Sequence, residues 1–150
     1  MVNISYNIDY DKWTKEYPLY KKYISQTVLA SLNLAKKKTG ENLAIGFLLT
    51  SNKNIKKLNQ KYRKKNKPTN VLSFPMMNIY EGTNFLGDIA LALETLIIES
   101  KKVKVPKYDY LCKMTAHGML HLLGYDHETD KQFRQMSRLE SQIFLKIKNQ

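Results

Sequence analysis

Hydrophobic and polar residues alternate from Val2 to Ile8, with Ile4, Tyr6 and Ile8 on one side and Asn3, Ser5 and Asn7 on the other. A period of two sends successive side chains to opposite faces, so this segment reads as a half-buried strand. From Pro18 the period changes. Ile24, Val28, Leu32 and Ala35 recur at helical spacing and predict a helix that Pro18 opens and that runs to about Lys38. Lys36 to Lys38 complement its dipole, and Gly40 ends it. Leu43 to Leu49 is an almost unbroken apolar run, as expected of a central strand covered on both faces. Ser51 or Asn52 caps the next helix, whose inward residues are Ile55, Leu58 and Tyr62.

Pro68 forces an exit from that helix, and Val71–Phe74 reads as a short strand stopped by Pro75. Met76 to Asn84 reads as a loop turning at Glu81-Gly82, and Phe85 to Leu93 as another strand. Glu94 to about Lys104 is a short helix with its acid first and its lysines last. Pro106 opens the helix that carries His117 and His121. Thr129-x-x-Gln132 resembles a capping box for a final helix with Met136, Leu139, Ile143 and Ile147 facing inward. The order β-α-β-α-β-β-α-α-α, without a repeat or linker, predicts a single α/β domain of the α+β type over residues 1–150. Two successive strands imply a hairpin, hence a mixed sheet of about four strands, packed with about five helices.

Charge narrows the partners. The formal net charge is +12 and the sequence pI is about 9.7, a balance that favours polyanions, nucleic acid above all. Nearly all the excess is lysine, which a compositional drift would also produce, so the charge supports an RNA or DNA partner without requiring one. The single cysteine, Cys112, lies in an apolar helical pattern and reads as a buried, inert thiol with no disulfide partner. The first residues lack a basic and then apolar leader, and no apolar run approaches the ~20 residues needed to cross a bilayer. A cytoplasmic protein without membrane contact is expected.

All three histidines lie in one stretch, His117-Gly-Met-Leu-His121-Leu-Leu-Gly124-Tyr-Asp126-His127. Four residues make slightly more than one helical turn, so His117 and His121 share a face about 6 Å apart along the axis. Gly124 can take positive φ and reverse the chain, which lets His127 reach the same point. Three neutral nitrogens suit one Zn²⁺ and leave a coordination position open, the arrangement of a catalytic site. Such an ion lowers the pKa of water from about 16 toward about 7 and polarises a substrate oxygen, which favours hydrolysis of carbonyl or phosphoryl compounds.

The spacing also matches the metzincin proteases, but those place a general-base glutamate after the first histidine, where this chain has Gly118. Peptide hydrolysis is therefore the weaker reading. Asp126 and, less so, Glu128 flank His127 and are candidates to orient a ligand or accept a proton. Arg63 offers fork-like donors to phosphate, and Lys61, Lys64, Lys65 and Lys67 around it can follow a nucleic-acid backbone. On charge alone Arg63 reads better as an exposed helix-end arginine in a solvated lysine run, and Tyr62 reads as core rather than as a base-stacking platform.

Three segments together resemble the YbeY family of bacterial ribosomal RNA maturation factors. They are Tyr62-Arg63-Lys-Lys-Asn-Lys-Pro68-Thr-Asn-Val-Leu-Ser73-Phe74-Pro75, Leu86-Gly87-Asp88-Ile89, and the histidine stretch, in the family's order and over about its whole length. The resemblance implies a single-strand-specific, metal-dependent endoribonuclease that matures 16S rRNA, especially its 3′ end, and takes part in ribosome quality control. It implies an α/β domain with a mixed four-stranded sheet. His117, His121 and His127 would bind the metal, and Arg63 and His117 are the catalytic candidates. Ser73 joins the lysines as a candidate RNA contact. The expected partners are single-stranded RNA, the 16S rRNA precursor and the small ribosomal subunit. One departure is visible, Asn70 where the family usually has aspartate, which removes a charge from that position. A non-catalytic RNA-binding factor with a structural zinc is the remaining alternative.

Overall fold

In the computed structural model, residues 1–35, 42–80 and 83–150 are described, without the side chains of residues 77–80 and 83. Ten elements follow one another: β1 (Val2–Ile8), α1 (Lys12–Glu16), α2 (Tyr20–Leu34), β2 (Leu43–Thr50), α3 (Asn52–Arg63), β3 (Val71–Tyr80), β4 (Thr83–Ala92), α4 (Leu93–Lys102), α5 (Lys107–Leu122) and α6 (Asp130–Lys148). The sheet order is β1-β2-β4-β3, with β1 parallel to β2, β2 parallel to β4, and β3 antiparallel to β4 at the edge. The mixed four-stranded sheet is as expected. Its helices number six among the described residues rather than about five.

The additional helix is α1. At five residues it is too short for an apolar period to show in sequence, yet it inserts Trp13 fully into the core. The indole donates to the carbonyl of Thr50 at 2.8 Å, which ties the β1–α2 connection to the end of β2. Pro18 sits in the turn before α2 rather than inside its first turn, a turn closed by the Tyr20 amide donating to the Tyr17 carbonyl at 3.1 Å. The predicted extension of α2 over Lys36 to Lys38, and its stop at Gly40, lie outside the described residues, as does the Glu81-Gly82 turn.

The edge hairpin is the main correction. β3 does not stop at Pro75, and the described residues of the expected Met76–Asn84 loop are strand, since β3 reaches Tyr80 and β4 begins at Thr83. Proline is tolerated there because β3 is an edge strand and the register shifts between Pro75 and Asn78. The same irregularity needs Gly87, whose φ of 141° and whose missing Cβ, 2.2 Å from the carbonyl oxygen of Phe74, exclude a side chain.

Strand alternation divides the core. Ile45, Phe47, Leu49, Ile89 and Leu91 face α2 and α5, where Ile24, Val28, Leu111, Met119 and Leu120 complete the larger cluster. Ile55 of α3 covers Leu72, Ala90 and Ala92 on the opposite face. Ser51 caps α3 by accepting from the amide of Asn54, and the predicted capping box of Thr129 and Gln132 opens α6. Met136 and Ile143 anchor α6, with Leu139 and Ile147 partly buried beside them. Tyr62 is not core. It is 54% exposed at the end of α3, where one edge of the ring meets Phe74 of the edge strand β3 and the rest faces outward. Cys112 is buried as expected, and burial pushes its thiol pKa up.

Replacing Trp13 by alanine removes a fully buried ring and leaves the Thr50 carbonyl unpaired. The loss expected is about 3–5 kcal/mol of unfolding free energy. Urea titration followed by circular dichroism measures it, since the substitution removes the only tryptophan.

Candidate metal centre

The histidines sit where α5 ends. Tyr125 N donates to Leu120 O at 2.9 Å and Gly124 N to His121 O at 3.0 Å, a closure that needs the positive φ of 94° at Gly124. The reversed chain then returns His127 to His117 and His121. One ring nitrogen from each lies within 4.8 Å of the others, and the Nε2 atoms of His117 and His121 are 3.2 Å apart. Nitrogens bound tetrahedrally to one zinc at 2.0–2.1 Å stand about 3.3 Å apart, so this donor set fits a single ion. The group can bind a metal ion.

Electrostatics favour the ligand form. Burial first, and the neighbouring His117 and His127 next, hold the His121 pKa below the ordinary histidine value, which keeps its imidazole neutral. Its remaining hydrogen bond is to the backbone of Tyr125. The Nδ1 of His117 faces the Glu140 carboxylate at 3.6 Å. Glu140 escaped the sequence reading because it lies on α6, 23 residues beyond His117, and only the α5–α6 packing brings the two together. Asp126 instead accepts from the backbone amide of His127 at 2.8 Å, so it braces the loop.

A cleft of about 770 Å³ opens in front of the histidines. Arg63, Lys65, Lys67, Asn70, Ser73, Asp126 and Glu128 line it with them, whereas Lys61 and Lys64 do not. The lysine run divides because Lys64 takes a left-handed φ of 58° at the end of α3. The buried Asn59 then secures the far side by donating to the carbonyl of Lys67 at 2.9 Å. Lys61 lies instead over the Tyr62 ring. Arg63 Nη2 donates to the carbonyl of Ser73 at 2.9 Å, and among the described residues no carboxylate pairs with it. The Ser73 side chain is buried, and its hydroxyl is spent on the carbonyl of Gly118 at 3.0 Å.

Gly118 is held against the sheet. A Cβ there would lie 3.1 and 3.2 Å from two carbons of Ile89 and 3.2 Å from the Ser73 hydroxyl. At the position where zinc proteases carry their glutamate, a side chain thus fits only if Ile89 and Ser73 give way by a few tenths of an ångström. Asn70 has a defined role as well. Its amide donates to Glu99 at 2.9 Å, and Glu99 also accepts from the Tyr110 hydroxyl at 2.8 Å. A carboxylate at position 70 would face Glu99 directly, whereas the amide bonds to it. Burial and Glu99 push the Tyr110 pKa up to about 12, so it remains a donor.

Two outcomes are expected. Gly118→Glu drives a long side chain into Ile89 and Ser73, and the folded protein is lost or weakened by more than about 2 kcal/mol in thermal denaturation. In metal-free protein, His121 resists a proton that the unfolded chain accepts below pH 6.5. Stability is therefore unpenalised above that pH and declines as pH falls below it, and a series of melting curves reads the trend.

The model of the Endoribonuclease YbeY family matches residues 7–148. An endoribonuclease YbeY of Bartonella bacilliformis is 40% identical over 150 residues, covering 98% of this chain and 94% of the relative. That of Ehrlichia chaffeensis is 40% identical over 148 residues, covering 96% and 92%. The solution structure of a Thermotoga maritima protein aligns over 99% of this chain and 93% of its own, with a TM-score of 0.54 and 22% identity, a likeness of fold. With its fold, histidine cluster and arginine already in place, the chain belongs to the endoribonuclease YbeY family.

Proposed function

We propose that this protein is an endoribonuclease that cleaves single-stranded RNA with the help of one zinc ion held by His117, His121 and His127. Its natural substrate is the 16S rRNA precursor near the 3′ end, in the course of small-subunit maturation and quality control. The observation that carries the reading is that Arg63 and the three histidines line one cleft. The relatives bear the name endoribonuclease, and the net charge of +12 suits a polyanionic substrate.

A zinc ion held there supplies a Lewis acid toward a phosphodiester oxygen and acidifies water. The chain's own residues do the rest. Arg63 is fixed by the Ser73 carbonyl, and its remaining N–H groups stabilise charge developing on the phosphoryl oxygens. Lys65 and Lys67 hold the flanking phosphates. Gly118 supplies no proton acceptor, which leaves Glu128 at the cleft wall, since Asp126 is engaged with the His127 amide. Peptide hydrolysis by the protease route lacks its base.

The test is cleavage of a labelled single-stranded RNA with and without chelator, beside Arg63→Ala. Chelation abolishes cleavage, and Arg63→Ala lowers the rate by about 10²–10³, the usual cost of removing one charge-stabilising donor. Cleavage indifferent to both rejects the proposal. The ends distinguish the attacking group, a 2′,3′-cyclic phosphate marking the ribose 2′-hydroxyl and its absence marking water.

A further inference from the structure

We infer that Glu140 is the positioning residue that sets the tautomer and orientation of His117 in the metal centre. The inference rests on the metal-centre reading above but not on the identity of the RNA. It starts from how the two nitrogens of His117 are divided. Nε2 meets Nε2 of His121 at 3.2 Å, while Nδ1 faces Glu140 Oε1 at 3.6 Å.

A neutral imidazole carries its proton on one nitrogen and a lone pair on the other, and only the lone pair binds metal. At 3.6 Å the Glu140 contact is electrostatic rather than a hydrogen bond. A negative charge beside Nδ1 favours the tautomer with its proton there, and so directs the lone pair of Nε2 toward the other histidines. The two side chains are only 26% and 20% exposed, so solvent screens the interaction incompletely. His121 has a counterpart in the backbone of Tyr125, which means two of the three donors are oriented from behind.

Placement argues for positioning rather than contact with substrate. Glu140 lines the groove between α5 and α6 and is not among the residues of the cleft. Its height on α6 is fixed from both sides, by the buried Met136 four residues before it and the buried Ile143 three after it. Among the described residues, His117 is the one cationic or titratable base within ion-pair reach of this carboxylate.

Glu140→Gln keeps the shape and removes the charge. Zinc affinity, measured on the full chain by competition with a chromogenic chelator, falls by about 10–100-fold, the usual loss when a partner behind a metal-binding histidine is removed. In metal-free protein, long-range proton–nitrogen NMR shows His117 leaving the Nδ1-protonated tautomer, a change that loss of packing alone does not produce. Circular dichroism confirms the fold. If Gln disturbs it, Glu140→Asp, which retains the charge, must retain the tautomer. Wild-type protein that does not hold zinc overturns the metal centre and this inference with it. Wild-type and Glu140→Gln proteins that hold zinc equally, with His117 in the same tautomer, overturn this inference and leave the metal centre standing.

Discussion

The close approach of α5 to the β3–β4 edge governs the site. Gly118 lies where a Cβ would press on Ile89 and on the Ser73 hydroxyl, so a residue without a side chain lets the histidine helix rest closest on the sheet. Ser73 then joins both halves. Its hydroxyl donates to Gly118, on the helix of His117 and His121, and its carbonyl accepts from Arg63, at the end of α3. Arginine and histidines are thereby referred to one strand residue rather than to each other.

The charge of the chain and the charge of the site are different quantities. A net charge of +12 draws polyanions to the molecule, but the metal centre depends on the histidines being neutral, and burial and their mutual repulsion keep His121 so. The lysine run serves the cleft in part. The left-handed turn at Lys64 sends Lys65 and Lys67 to it and leaves Lys61 over the Tyr62 ring. Asn70 fits the same economy of charge, since its amide bonds to Glu99, where a carboxylate would meet another carboxylate.

Short-range rules made much of this legible. The alternation of β1, the apolar run of β2, the cap of α3 and the box that opens α6 each lie within one element and act through contacts a few residues apart. The i, i+4 histidines with Gly124 behind them belong to the same class. Their geometry follows from the pitch of a helix and the one residue that readily closes it. The β3–β4 hairpin was less legible because proline reads as a stop until it is known to occupy an edge strand at a register shift. Tyr62 misled for a related reason. Helical spacing tells which face a residue is on, not how much of it the edge strand beneath can cover.

By itself the sequence determined the order of the elements other than the short α1, the mixed sheet, the histidine cluster and the kinship of the chain, since each depends on local spacing or on residues present in fixed order. The tertiary structure alone decided that Glu140 stands behind His117, that Asp126 braces a loop, and that the Ser73 hydroxyl is spent on Gly118. Those pairs lie on different elements or depend on the direction of a side chain. Their separation is set by how helices and strands pack, a long-range outcome of many weak contacts that no local pattern encodes.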